Sequence, residues 1–409
     1  MVDSPRSRPA GTARQWQLVH GQAAVDWMRS SGVARRMLDD VCGAVETTAR
    51  YLVGDGADRA REVLEEYPRV VSHCDQIAFD EWPQALAYLM VHLPDRYCRM
   101  FQVLERLLVN GKLPIGKTDG FAAIDIGAGP GPGIFAVRSF YAALAHYAKL
   151  HGASLPIVTL GYSHIVERGR AMPRVMHYFA ESLVVAERGH PDADGIAQAD
   201  PNPCATELAS SFPPFQAHFT DFTDLDIPAA HHQARMRLAA ELYHDDFLEL
   251  TRAEAKRLAY EGQIDRPSAY ALAVMMNFLT PGSDALTLFS EAIDRLMHGA
   301  LVPGGTILVL GATSADYEQI YADLDSRARA AGLSIADGFD RLFDAGHQAG
   351  DRAAVRSLTR RLWDMLEPLA GDVGAVKDAL REEHASKYFD RTVHFGFSRF
   401  RVRAYRRGA

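Results

Sequence analysis

Four cysteines are spread over 409 residues, and none of them, Cys42, Cys74, Cys98 or Cys204, forms a C-x-x-C pair. That spacing excludes a disulfide framework and a cysteine-rich zinc module, and reads as reduced thiols of a cytoplasmic protein. No run approaches the roughly 20 uninterrupted apolar residues a membrane span needs. The first dozen residues are polar, with Pro5 and Pro9 and no apolar stretch of the kind a secretory leader carries. Positive charge is also in deficit: the net charge is −8, so the whole-chain basic field of a general nucleic-acid binder is missing. There is no H-E-x-x-H, and His231, His232, His244, Asp245 and Asp246 read as the polar surface of a helical segment rather than a metal site. No metal is expected.

Apolar residues, by contrast, make up 48% of the chain, enough for one large domain with a sizeable core and a smaller one beside it. Their periodicity divides the chain. Residues 1–14 read as a disordered N-terminus. Residues 15–117 read as a helical domain, with Val25, Met28, Val33, Met37, Leu38 and Val41 at helical intervals and further helices over 58–66, 81–90 and 95–108. Pro94 fits a helix start and Gly111 a stop. This domain serves either as a lid or homodimer surface, or as structural cover for the sheet.

The organising stretch is Ile124-Asp125-Ile126-Gly127-Ala128-Gly129-Pro130-Gly131-Pro132-Gly133. An apolar strand precedes it, and a helix over 134–150 comes after it. Strand, glycine turn and helix together bring backbone close to a nucleotide-like ligand. The glycine spacing is not that of a dinucleotide fingerprint, whose third glycine would fall on Pro132 or Ile134, and no Gly-Lys-Ser/Thr is present to make a phosphate loop. The acid at the strand end would repel a pyrophosphate and suits an amino group.

This D-x-G-x-G-x-G run resembles motif I of the class I S-adenosylmethionine-dependent methyltransferases. The resemblance implies an α/β fold: a Rossmann-like, seven-stranded, mostly parallel sheet with helices on both faces over 118–409, preceded by the helical domain. Helical insertions fall near 228–267 and 340–384. Asp125, Gly127, Ala128, Gly129 and Gly131 then form the cofactor turn. A second strand over 155–160 leads to Gly161-Tyr162-Ser163-His164. The family's ribose-holding acid would fall on Gly161, so Tyr162 and Ser163 are the implied contacts, with Glu167 one helical turn further on. A third strand over 215–219 leads to Asp221 and Phe222, matching the family's adenine acid and its packing neighbour. The fourth strand, 270–278, carries Asn277 to the transferring methyl, unless that residue simply caps the turn. Leu301-Val302-Pro303-Gly304-Gly305 opens a fifth unit. Arg399, Arg401 and Arg403 alternate with apolar residues in a terminal strand; the arginine face reads as protection of an exposed edge, or as a surface for phosphates.

The implied function is transfer of a methyl group from S-adenosyl-L-methionine to a hydroxyl, amine or carbon. A small-molecule substrate suits the acidic chain better than RNA, although the glycine run also resembles ribosome-associated methyltransferase-like proteins. A non-catalytic S-adenosylmethionine-binding protein is the rival from another class. His164, His231 and His244 are available bases, and none is singled out as catalytic.

Overall fold

The structure, a computed structural model, describes residues 10–115, 121–152, 157, 159–189, 201–210, 218–220, 270–281, 285–313, 315–339, 342–343, 349–384, 389–390, 392–393 and 399–408. Helices α1 (Ala10–Ser30), α2 (Val33–Val53), α3 (Ala57–His73) and α4 (Trp82–Val109) come first. The first begins at Ala10, inside the stretch read from sequence as disordered. The separate helices expected over 81–90 and 95–108 are one. Pro94 lies inside α4, where it removes one backbone bond, yet α4 is buried from Leu93 to Phe101 and packing carries the helix through.

Strands β1 (Phe121–Ile126), β2 (Leu160–Val166), β3 (His218–Thr220), β4 (Tyr270–Met276) and β5 (Leu301–Ala312) run parallel in the order β3-β2-β1-β4-β5. Two-residue strands β6 (Ser334–Ile335) and β7 (Leu342–Phe343) and a small separate ladder, β8 (Phe389–Asp390) with β9 (Thr392–Val393), precede the last strand, β10 (Phe400–Arg406). β10 pairs antiparallel with β5 on one side and with β6 and β7 on the other.

The expected seven-strand sheet is therefore corrected. Among the described residues, six strands, β3 to β10 in spatial order, carry it, and beyond β10 stand the two short segments. β6 is short, and the Ala336 N–H makes one more bond to the Ala404 carbonyl of β10 at 2.8 Å before Gly338, whose φ is +83°. β10 is likewise not an edge, so its arginines have no edge to protect. Arg401 and Arg403 lie over the Tyr321 ring, each 5.4 Å from its centroid. Arg401 pairs with Glu318, and Arg403 Nε with Asp325 Oδ1 at 3.4 Å.

The sheet is buried on both faces, which is why its strands read as apolar runs rather than alternations. Ala123, Val274 and Leu308 face one core, shared with α4, α5 (Pro132–Leu150), α6 (Met172–Arg188) and the helix Ala349–Ala370. Ile124, Ala273 and Ile307 face the other, against the helices Ser290–Gly299 and Glu318–Ala330. Phe101 of α4 meets Phe140 of α5 edge-on at 5.1 Å, and each such ring, fully buried, contributes about 1.5–3 kcal/mol.

The N-terminal helices and the late helix Ala349–Ala370 also grip each other. Arg361 Nε donates to Glu46 at 2.6 Å, Arg61 Nη2 to the Ala370 carbonyl at 3.2 Å, and Tyr67 stands edge-on to Trp363. Among the described residues, no helix is long and apolar enough to cross a membrane. The segment expected as an insertion over 228–267 lies outside them.

Candidate functional site

In open α/β sheets, ligands bind beyond the carboxyl ends of the strands, where neighbouring connections diverge. Here that place lies between β1, whose chain goes on to β2, and β4 on its other side. A cavity of about 330 Å³ occupies it. Its floor is Gly127 and Gly129 after β1, Glu167 after β2, and Asn277 and Phe278 after β4. Its roof is one face of α4.

The glycine turn explains itself residue by residue. Gly127 has φ +64°, and its N–H donates to the Val166 carbonyl at 2.8 Å, tying the ends of β1 and β2 together. A Cβ there would stand 2.8 Å from Phe278 Cβ. Ala128 is buried, and Gly131 takes the position before α5 with φ +85°. Pro132, which has no N–H to satisfy, opens the helix. Asp125 sits beneath this turn at 1% exposure and is not a cavity wall. Its Oδ2 accepts from the Ile134 N–H at 3.1 Å, which satisfies a free donor in the first turn of α5. Gly133 makes that approach possible, since a Cβ there would be 2.7 Å from the same oxygen. Asp125 Oδ1 has no hydrogen-bond partner among the described residues. Burial raises the Asp125 carboxyl to about 8; the Ile134 bond opposes the rise and the Glu167 charge adds to it.

The second strand starts later than its sequence suggested, and this changes the site. β2 runs from Leu160 to Val166 rather than over 155–160. Tyr162 and Ser163 consequently lie within the strand, paired with Ala122 and Ala123 of β1, and Ser163 is fully buried. Ser163 does not line the cavity. The first residue past β2 is Glu167, which does. Glu167 Oε2 accepts from the Gly129 N–H and Oε1 from the Gly169 N–H, each at 2.7 Å. Burial raises this carboxyl, and the backbone amides of Gly169, Gly129 and Arg168 draw it back. His164, a candidate base, is buried inside β2 with Nδ1 2.6 Å from the Tyr270 hydroxyl, away from the cavity.

Asn277 is where the sequence put it, at the carboxyl end of β4, and it both turns the chain and faces the cavity. Its φ of +52° is the left-handed conformation that asparagine tolerates best after glycine. With its amide oriented to suit its neighbours, its oxygen accepts from Arg96 Nε and Nη2 at 3.2 Å each. Asp221 and Phe222, the expected adenine pair, lie outside the described residues, as do His231 and His244.

The roof escaped the sequence reading. Tyr88, His92, Asp95, Arg96 and Arg99 all line the cavity from α4. Their spacing of four, three, one and three residues is a single helical face, a polar stripe on an otherwise apolar helix. That stripe was visible in the sequence as a signal. Arg99 pairs with Asp95 at 2.7 Å. Arg96 is 5% exposed and stacks over the Tyr88 ring at 4.7 Å. Cys74, next to α3, completes that side.

No protein-family model and no curated protein matches this chain.

Proposed function

We propose that the chain is an S-adenosylmethionine-dependent methyltransferase on a Rossmann-like sheet, acting on a small molecule. One observation carries the reading. A cavity opens at the carboxyl ends of β1, β2 and β4, with a side-chain-free glycine turn on its floor and a carboxylate, Glu167, directly after β2. The turn suits the amino-acid end of the cofactor because nothing bulkier than hydrogen projects from Gly129. Glu167 suits the two ribose hydroxyls, since one carboxylate accepts from both. Asp125 supports the turn from below through Ile134. Asn277 stands where the fourth strand of this fold class meets the reacting group.

When bound, the cofactor supplies an activated methyl on a sulfonium. The chain's own work is to align the acceptor, hold it in line and exclude water. The roof of α4 closes over the cavity, which favours a small acceptor over a folded RNA. The paired arginines of β10 lend no support to the RNA alternative. The non-catalytic alternative rests on a missing ribose acid; Glu167, directly after β2 at the cavity, supports the catalytic reading.

Titration calorimetry with S-adenosylmethionine tests the proposal. Single-site binding is expected, and Glu167→Gln should weaken it. Absence of heat at millimolar ligand, with the protein folded, would retire the cofactor and the reaction together.

A further inference from the structure

The four cysteines are not alike. Cys42, Cys98 and Cys204 are buried, and burial pushes their thiols up, Cys42 and Cys204 to about 12. Cys74 is partly exposed and lines the cavity. Burial pushes its thiol up too, but the hydrogen bond and charge of His92 and the charge of Arg96 outweigh it and hold Cys74 at about 7, with Asp75 opposing them. Tyr317 is the other titratable group facing it, and its phenol is raised, first by burial and then by Asp75 and Cys74.

The surrounding geometry is that of an activated thiol. His92 Nε2 lies 3.1 Å from the Val70 carbonyl. A carbonyl only accepts, so Nε2 carries a proton and Nδ1 is the basic nitrogen of the neutral ring. Cys74 and His92 line the same cavity, and the Val70 carbonyl orients the imidazole. Arg96 Nη2 stands 4.0 Å from Cys74 Sγ. Its neighbour Arg99 is neutralised by Asp95, whereas Arg96 forms no ion pair with a carboxylate among the described residues. A guanidinium buried at a cavity wall gains most from an anion brought in by a ligand.

We propose that Cys74, His92 and Arg96 form a nucleophilic thiol site for small electrophiles that carry a carboxylate. His92 takes the thiol proton. The sulfur attacks the electrophilic carbon, a sulfur–carbon bond forms, and the bond to the leaving group breaks with its electron pair departing on that group. Arg96 holds the carboxylate of the incoming molecule. The site needs no S-adenosylmethionine, so it stands or falls separately from the proposed activity.

The test uses the full, ligand-free chain and two reagents that differ in charge, iodoacetate and iodoacetamide, with peptide mapping of the adducts. Both deliver a substituted methylene to sulfur and release iodide. A free thiol such as glutathione prefers the neutral reagent, because two anions repel. The expected result is a single adduct on Cys74, with iodoacetate favoured relative to the glutathione ratio by about tenfold, the effect of one anion–guanidinium contact. Arg96→Met should abolish that preference. His92→Asn should move the pH midpoint of iodoacetamide labelling from about 7 upward toward the roughly 8.5 of a free thiol. A wild-type reagent ratio equal to that of glutathione overturns the proposal, and so does first labelling at Cys42, Cys98 or Cys204. Neither result depends on a variant folding.

Discussion

Replacing Asp125 with Asn should make the protein more resistant to alkaline pH. Asp125 is buried, its Oδ1 is unpartnered among the described residues, and its carboxyl is raised from the ordinary 3.8 to about 8. Between those two values the folded chain binds a proton that the unfolded chain releases. Stability therefore falls as pH rises through this window and levels off above it. At about 1.4 kcal/mol per pKa unit, the window sets a ceiling of roughly 6 kcal/mol, and relaxation around the buried group should leave about half of that, roughly 3 kcal/mol, observable. Asn is isosteric, cannot ionise, and keeps an oxygen for the Ile134 N–H. Wild type and Asp125→Asn should unfold at similar urea midpoints at pH 5. By pH 8 the variant should lead by about 3 kcal/mol. A difference that does not change with pH would refute the reasoning. A wild type that gains on the variant as pH rises would mean that the folded state stabilises the carboxylate.

Three further outcomes rest on the same geometry. Gly127→Ala should destabilise the fold by about 1–3 kcal/mol, through a left-handed backbone and collision with Phe278; adding Phe278→Ala should return part of the loss in chemical denaturation. Tyr270→Phe removes a hydrogen-bond partner of buried His164 and should cost about 1–3 kcal/mol by the same measurement, with no effect on ligand affinity, because neither residue lines the cavity. Glu167→Gln should lower S-adenosylhomocysteine affinity by about 1–3 kcal/mol in calorimetry, the loss of a charge-assisted acceptor. It should also loosen the turn, since an amide offers one oxygen where Gly129 and Gly169 need two.

The legible parts of this chain are those written in local chemistry. The glycine run and the apolar β4 each declare their conformation through sterics or burial, and the turn and strand stand where those residues put them, although α5 opens at Pro132, two residues before the expected start. The errors arise where local signals are degenerate. Leu155 to Leu160 and Leu160 to Val166 are both apolar enough for a buried strand, and only pairing against β1 selects the second. That slip of about one strand length moves the residue that follows the strand from Glu167 to Gly161. Pro94 misleads because propensity argues for a break while the packed surroundings of α4 sustain the helix. The roof is hidden for a different reason. Apolar periodicity marks only the core-facing side of a helix, and the informative pattern on α4 is the polar one, Tyr88 to Arg99.

Hydrogen–deuterium exchange with and without S-adenosylhomocysteine tests the central claim most directly. If the cofactor lies on the glycine turn, the ligand should slow exchange in peptides covering 126–135, 165–170 and 275–281, which meet at the cavity, and leave the second half of the helix Glu318–Ala330, residues 324–330 on the far face, unchanged. Ligand-dependent protection confined to that far face, or no protection at saturating ligand, would contradict the account.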